Sequence, residues 1–363
     1  MKILIFSHEF PPTLGGAGVV AAEYANCLSS AGHDVTVLTK LRTNLSVGRY
    51  KLLQVRTIRK LWFVSYRKAV DFESYDLILL NDVVAAYTAG LFFNQCLLSK
   101  SIIVLHGSEP ENIFLEPSLF RKITYFKFFY KRALDGVQNI ISVSSFMRDK
   151  FLDYTKLHYL FGKLVVIHNF INSENFYPRI EPLFRRNFGL PEDAFVLVSA
   201  SRLVLGKGYK RKVLLFERLV KLSKRNLYWL IVGDGRDATE ISELVHLKGL
   251  NDRIIFLGTK SREDLAVIYS NSNLFWLLSD FEESFGLVYL EAQACGIPVI
   301  GNNFAGVREA VLDGQTGFLV ESSEQVIRLF ESEQFLNIRR CKLREFSGRF
   351  DSSEFLSFIN NLE

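Results

Sequence analysis

The sequence predicts an α/β chain built from two doubly wound parallel domains. Three observations carry this expectation. The chain has 363 residues, too many for one ordinary core and suited to two. Short apolar runs alternate with longer helix-like segments from end to end, the pattern of a parallel sheet covered by helices. The runs also fall into two successive sets, separated by a stretch without clean periodicity. A hydrophobic content of 48% and a charged content of 23% place the chain among globular proteins.

In the first half the expected strands are Lys2–Ser7, Val35–Thr39, Leu77–Asn81, Ile102–Leu105, Asn139–Val143 and Leu164–His168. Helices lie between them, the clearest from Gly16 to Ala31. In the second half strands are expected at Phe195–Ala200, Tyr228–Val232, Ile254–Phe256, Leu274–Leu277, Pro298–Ile300 and Phe318–Val320. The stretch from Asn169 to Pro191 holds three prolines and reads as the interdomain connection. The expected domains are therefore 1–170 and 171–350. The tail 351–363 (DSSEFLSFINNLE) reads as a capped helix with Phe355, Phe358, Ile359 and Leu362 on one side. In open α/β sheets, ligands bind beyond the carboxyl ends of the strands. Two such sheets facing each other would place an active site in the cleft between them.

No run of about eighteen uncharged apolar residues occurs, so no membrane-spanning helix is expected. The N-terminus MKILIFSHEFPP reads as a first strand without a signal-peptide cleavage pattern, and the chain is expected in the cytoplasm. Cys27, Cys96, Cys295 and Cys341 are scattered, with neither metal-ligand nor disulfide-framework spacing, as suits a reducing compartment. There is no Asp-x-Asp pair and no histidine cluster, so no divalent metal site is expected.

The net charge of +5 is unevenly shared. Residues 1–170 carry 20 Lys and Arg against 13 Asp and Glu, whereas residues 171–363 carry 24 against 26. Between Asp34 and Asp71 there is no acid, yet Lys40, Arg42, Arg49, Lys51, Arg56, Arg59, Lys60, Arg67 and Lys68 all fall there. The first half is expected to face something anionic. Leu119 to Leu134 (LFRKITYFKFFYKRAL) adds to this. Wound as one helix, it puts Leu119, Ile123, Phe126, Tyr130 and Leu134 on an inward face. The other side mixes Phe120, Tyr125, Phe128 and Phe129 with Arg121, Lys122, Lys127, Lys131 and Arg132. Basic residues interleaved with aromatics suit an anionic membrane surface. Nucleic acid attracts such a surface too, but the motifs below do not fit it. A basic helix over a buried aromatic core is the plainer alternative.

The most specific stretch is ESFGLVYLEAQACGIPV, residues 283–299. Phe285-Gly286 form a turn and Leu287 to Ala294 read as the first turns of a helix. A helix N-terminus carries unpaired N–H groups and partial positive charge, so it holds anions. A carboxylate just before it, Glu283, and another inside it, Glu291, can grip the hydroxyls flanking a bound phosphate. Sugar, diphosphate and ribose in a row have the shape of a nucleotide sugar. Arg202 and Lys207, in SRLVLGKG, stand five residues apart around a turn and can clamp a diphosphate. The residues that follow, Lys210, Arg211 and Lys212, read as a membrane or phosphate contact or as plain surface. Gly15 and Gly16, in FPPTLGGAG, allow close backbone approach to a phosphate or sugar. Gly16 to Ala21 also fits the dinucleotide pattern G-x-G-x-x-A, but seven residues separate it from the strand, and Thr39-Lys40 stand where a ribose-binding acid belongs. His106 ends the strand IIVL and would point past the sheet. Val232-Gly233-Asp234-Gly235 is a strand-to-helix turn.

Together these motifs resemble the family 4 glycosyltransferases of the GT-B fold, two Rossmann-like domains facing across a cleft. Their Glu-x-Phe-Gly-x-x-x-x-Glu and Ala-x-Gly-x-Pro-Val signatures, Arg-Leu-Val-x-x-Lys-Gly motif, Pro-Pro-x-x-Gly-Gly loop and Val-Gly-x-Gly turn are all present. Val-Ser-x-x-x-Arg appears at 143–148, while the Val-Ile-x-Asn-Gly-Val-Asp segment departs, with Phe170 and Asn172 in place of Gly and Asp. The resemblance implies a retaining, metal-independent enzyme with no cofactor beyond its nucleotide-sugar co-substrate. His106, Glu283, Arg202 and Lys207 would serve catalysis. Gly15, Gly16, Gly233, Ser284, Phe285, Gly286, Leu287, Val288 and Glu291 would join Arg202, Lys207 and Glu283 in holding the donor on the second domain. The family's last helix crosses back onto the first domain, and the tail would suit that role. The acceptor, a glycan or lipid-linked glycan of the cell envelope such as lipopolysaccharide, would lie on the basic first domain at the inner membrane face. A nucleotide-sugar epimerase, a soluble glucan or sucrose-type synthase, and a non-catalytic glycan-binding homologue are the alternatives.

Overall fold

The apolar runs form two parallel sheets. The computed structural model describes residues 1–11, 16–41, 48–58 and 61–362, and divides the chain into Met1–Asn169 with Ser352–Glu363, and Phe170–Asp351.

The first unit contains β1 (Lys2–Phe6), β2 (Asp34–Lys40), β3 (Lys51–Val55), β4 (Leu77–Leu80), β5 (Ser101–Leu105), β6 (Asn139–Ser142) and β7 (Leu164–Val166), in the order β3-β2-β1-β4-β5-β6-β7. Every residue of β4 and β5 is buried. Because side chains alternate between faces, that burial requires cover on both sides, which is why these strands are unbroken apolar runs. β3 was not expected from the sequence. It pairs in parallel with β2 alone, its residues are only partly covered, and Lys51 and Gln54 interrupt its apolar run.

The second unit contains β8 (Ala194–Ala200), β9 (Asn226–Val232), β10 (Ile254–Gly258), β11 (Leu274–Leu277), β12 (Val299–Asn302) and β13 (Gly317–Val320), in the order β10-β9-β8-β11-β12-β13. Its core includes Trp229 and Trp276, fully buried and edge to face with ring centroids 4.8 Å apart, a favoured aromatic geometry. The proline-bearing stretch from residue 170 belongs to this unit. Phe170, Phe176 and Phe184 are buried, the Arg179 N–H donates to Ser270 Oγ at 2.9 Å, and the Glu181 N–H donates to Asn271 Oδ1 at 3.0 Å.

The tail helix Ser353–Asn360 belongs to the first unit. Phe355 stacks on Tyr24 of the helix Gly16–Ser30, with centroids 4.1 Å apart and planes 12° apart. Ser352, just before it, forms no side-chain capping bond.

The basic segment departs from the single helix expected. It forms two helices, Leu119–Ile123 and Phe126–Gly136, broken at Tyr125, whose φ of 50° is left-handed. The break rotates the apolar stripe out of register. Phe126, Tyr130 and Leu134 are buried as expected, but Leu119 and Ile123 are 73% and 68% exposed.

Candidate functional site

Each sheet reverses its strand order once, between β1 and β4 in the first unit and between β8 and β11 in the second. The crevice beyond the carboxyl ends of the strands at such a reversal is where doubly wound sheets bind ligands. Arg202, Lys207 and Glu283 lie on the loops after β8 and β11, at the second of these places.

In the second unit the loop after β8 is tied to the loop after β11. Asp280 and Phe281 donate backbone N–H groups to Gly206 O at 2.7 and 3.0 Å. Gly208 has a φ of +66°, and a Cβ there would stand 2.0 Å from Leu278 O, so only glycine allows this approach. The join brings Lys207 Nζ to 2.5 Å from Glu283 Oε1, with 15% and 17% of these side chains exposed. Arg202, on the same loop, is exposed and forms no ion pair with any described residue. Just beyond Glu283, Ser284 is half-buried and Phe285 is buried, its ring 5.4 Å from that of Phe350. Gly286, at φ +102°, starts the helix Leu287–Ala294 without a side-chain cap. The N–H groups of Leu287 and Val288 therefore sit in an uncapped first helical turn. One loop pair thus assembles two cations, a carboxylate and a helix N-terminus, a set suited to neutralising a diphosphate.

Three further residues of this unit differ from a simple reading of the motif. Glu291 is only 5% exposed, with Oε1 3.3 Å from Arg262 Nη2 on the helix Arg262–Ser270, a partner the motif does not reveal. Gly233, at φ +127°, lies against the backbone of the Arg202 loop, where a Cβ would come 2.0 Å from Ser201 O. Lys212 is not surface. It is fully buried, with Nζ 3.2 Å from Ser199 Oγ and 3.8 Å from the Tyr209 ring centre, and Trp229 and Trp276 complete an aromatic box. Burial, then the neighbouring Lys207 and Arg211, push its pKa well down, while Asp280 opposes. Lys210 is paired with Glu240.

In the first unit, Asp82 follows β4 and its carboxylate is fully used. Oδ2 accepts from the backbone N–H groups of His8 (2.5 Å) and Glu9 (3.0 Å), and Oδ1 caps the next helix through Val84 and Ala85, both at 2.9 Å. His106 follows β5 and is half-buried. Its Nε2 lies 3.2 Å from Asn81 Oδ1, and burial, opposed by Asp82 and Asn81, lowers its pKa to about 4. The buried Glu109 fixes the turn by accepting from the backbone N–H groups of His106 at 2.8 Å and Gly107 at 2.6 Å. Asn81, Asp82 and Glu109 were missed in the sequence. Their one signal is position, since Asn81-Asp82 and His106 each directly follow an apolar strand. Gly16 opens its helix in open space, and Gly15 lies outside the described residues, as do Arg42, Arg59 and Lys60.

The basic segment separates into two groups. Arg132 turns inward, donating to Gly90 O and, at 2.8 Å, to Phe93 O at the end of the helix Val83–Phe92. Arg121 is half-buried with Nη1 2.7 Å from Asn112 O, and Lys131 pairs with Asp135 at 2.9 Å. Phe129 is half-buried. Lys122 and Lys127 are exposed beside Leu119, Ile123, Tyr125 (71%) and Phe128 (64%). Among the described residues there is no group of three metal-ligating side chains and no helix long and apolar enough to cross a membrane.

With this geometry in place, the comparisons align with both units. Residues 14–175 match the family model described as Glycosyltransferase Family 4, and residues 181–341 match Glycosyl transferases group 1. The N-acetyl-alpha-D-glucosaminyl L-malate synthase of Bacillus anthracis is 26% identical over 346 residues, which cover 89% of this chain and 86% of that protein. The sucrose-phosphate synthase of Thermosynechococcus elongatus superposes with a TM-score of 0.79 at 21% identity, covering 99% of this chain and 98% of that one. HepE of Anabaena, solved in complex with UDP and glucose, gives a TM-score of 0.79 at 21% identity, covering 100% and 99%. At such identities the two structures speak to the fold alone.

Proposed function

We propose, for a chain that belongs to the family 4 glycosyltransferases and has their GT-B fold, that it moves a sugar from a nucleotide-sugar donor to a glycan or glycolipid acceptor, with retention of anomeric configuration and no metal requirement. The Lys207–Glu283 contact at the β8/β11 reversal carries this reading. In the absence of donor each side chain neutralises the other. An entering diphosphate takes Lys207 as its partner together with Arg202 and the helix N-terminus after Gly286. Glu283 is then released to accept from sugar hydroxyls. Glu291, oriented by Arg262, accepts from the ribose hydroxyls. As the glycosidic bond to the diphosphate breaks, negative charge grows on the leaving group. Donors already aimed at it stabilise the transition state without reorganising.

The acceptor reading is a glycan on a lipid carrier or lipopolysaccharide at an anionic membrane surface, as suits cell-envelope polysaccharide synthesis. It is supported by the exposed Leu119, Ile123, Tyr125 and Phe128 beside Lys122 and Lys127. Apolar side chains flanked by exposed cations gain from headgroup insertion and from anionic lipid together.

Two experiments test the reading. Thermal shift and product analysis with UDP-, GDP- and ADP-sugars should single out one donor, since a ligand stabilises the state that binds it. Turnover should persist in EDTA and the product should keep the donor's anomeric configuration. Sugar interconversion without acceptor would identify an epimerase instead, and no binding of any donor would identify a non-catalytic homologue. Co-sedimentation with anionic liposomes at low salt tests the surface. Changing Leu119, Ile123 and Phe128 together to serine should abolish binding, and no binding by the parent protein would remove the membrane from the proposal.

A further inference from the structure

The proposed reaction leaves unexplained what sets the proton on His106. We propose that Asn81 is a positioning residue that fixes His106 as the Nε2–H tautomer and so leaves Nδ1 as a bare acceptor for a sugar hydroxyl. The tautomer follows from the first unit alone; its use by a sugar rests on the function proposed above.

Asn81 stands at the end of β4, and one end of its amide lies 2.9 Å from Ala17 O in the first turn of the helix Gly16–Ser30. A backbone carbonyl only accepts, so the Asn81 atom facing it is the NH2 group. The same nitrogen lies 3.0 Å from Ser7 Oγ, the side chain that follows β1, so both its protons are used. Reversing the amide would set two carbonyl oxygens 2.9 Å apart and forfeit these bonds, each worth about 1 kcal/mol net and more when a buried group is left unpaired. The amide orientation, often an arbitrary choice, is decided here by its partners.

Once the nitrogen is placed, Oδ1 is the atom that meets His106 Nε2 at 3.2 Å. Oδ1 cannot donate, so Nε2 must carry the proton. The second ring nitrogen is then settled by charge. Burial holds the imidazole neutral down to about pH 4. The acids around it do not reverse this. Asp82 raises the pKa, but its two oxygens are occupied by backbone donors from two segments. Glu109 is engaged by the N–H groups of His106 and Gly107. A neutral ring with its proton on Nε2 has a lone pair on Nδ1; the Asn81 backbone carbonyl also faces the ring, but it can only accept, and no described residue donates to Nδ1. The residue as a whole is half-buried. A group of this kind accepts one hydrogen bond from a hydroxyl and offers none. It therefore selects a substrate that presents an O–H at that point and discriminates against an ether or carbonyl there.

The test uses the full chain labelled with 15N-histidine. Two-bond 1H–15N spectra at pH 7.5 distinguish the tautomers, and His106 is assigned as the signal missing in His106→Gln among the six histidines. The expected pattern is a neutral ring protonated at Nε2. A ring protonated at Nδ1, or a doubly protonated ring, overturns the inference. Asn81→Leu, with near-UV circular dichroism as the check on folding, should populate both tautomers; a pure Nε2–H ring there overturns the role of Asn81. Should that variant not fold, two His106 variants decide whether Nδ1 is used. An Asn amide overlays the Nδ1 position of imidazole and a Gln amide the Nε2 position. His106→Asn should retain about tenfold more kcat/KM than His106→Gln, the value of one hydrogen bond, and the reverse order overturns the assignment. A chain that binds no nucleotide sugar yet shows the Nε2–H ring would refute the proposed reaction and keep the tautomer. A transferase with an Nδ1–H ring would do the opposite.

Discussion

The two sheet reversals occupy the same place in the same topology and hold their charges in opposite ways. At β1/β4 the charged group is used up. Asp82 accepts from the backbone of the β1 loop and caps the helix after β4, so it binds the unit to itself. At β8/β11 the charges are held provisionally. Lys207 and Glu283 pair with each other across two loops, and Arg202 is paired with no described residue. A carboxylate saturated by backbone N–H groups has nothing left for a ligand. A single lysine–glutamate contact with 15% and 17% exposure can be exchanged for a phosphate and a hydroxyl. The same location in a doubly wound sheet can therefore serve as a structural lock or as a binding site, and the number of fixed backbone donors around the charge decides which.

The widest separation should come from Lys207→Ala. Turnover should fall by about 10² to 10³, the usual loss for one transition-state donor, while the circular dichroism spectrum and a cooperative melt are kept. Unchanged kcat would remove the diphosphate clamp. Asp82→Ala should act through stability. Losing the helix cap costs about 1 kcal/mol, and each of the two hydrogen bonds from His8 and Glu9 to the charged group about 1.5–3 kcal/mol, so about 4 kcal/mol or more should disappear from urea unfolding. A loss below about 1 kcal/mol would mean that water replaces Asp82 and that the contrast between the reversals is false.

The comparison also explains what the sequence reveals. Strands buried on both faces, such as β4, β5 and β11, appear as uninterrupted apolar runs, so twelve strands were placed to within one or two residues. β3 was hidden because an edge strand buries little and its polar residues resemble loop. Glu283 and Lys207 were legible because glycines mark their loops, and those glycines are required where Gly208 and Gly286 have positive φ. Asp82 was not legible, because nothing local distinguishes a carboxylate that caps a helix from one that meets a ligand, and Asn81 and Glu109 carry no mark beyond their places near strand ends. The break at Tyr125 was missed for a related reason. A non-glycine left-handed residue leaves no compositional mark, yet it moved Leu119 and Ile123 from the inward face to solvent.

The smallest predicted effect tests how far the second unit tolerates charge away from its exchangeable pair. Lys212 is buried in the box of Tyr209, Trp229 and Trp276 with a hydroxyl and, among the described residues, no carboxylate within hydrogen-bond reach. Its pKa in the folded chain is well below its ordinary 10.5. Between those two values the unfolded chain binds a proton that the folded chain refuses. Stability of the parent protein must then rise with pH across that window. Lys212→Met fills similar space without a titrating group, so it should gain on the parent as pH falls from about 10.5. Removing the cost of shedding that proton on folding gives about 1 kcal/mol or more, which for a unit of this size is a Tm increase of about 3 °C near pH 7. The increase should shrink to nothing near pH 11. The aromatic rings oppose this, because their faces attract an ammonium group. A Tm difference that is flat across that range would show that the box compensates the charge fully, and that this unit stores a third cation rather than excluding one.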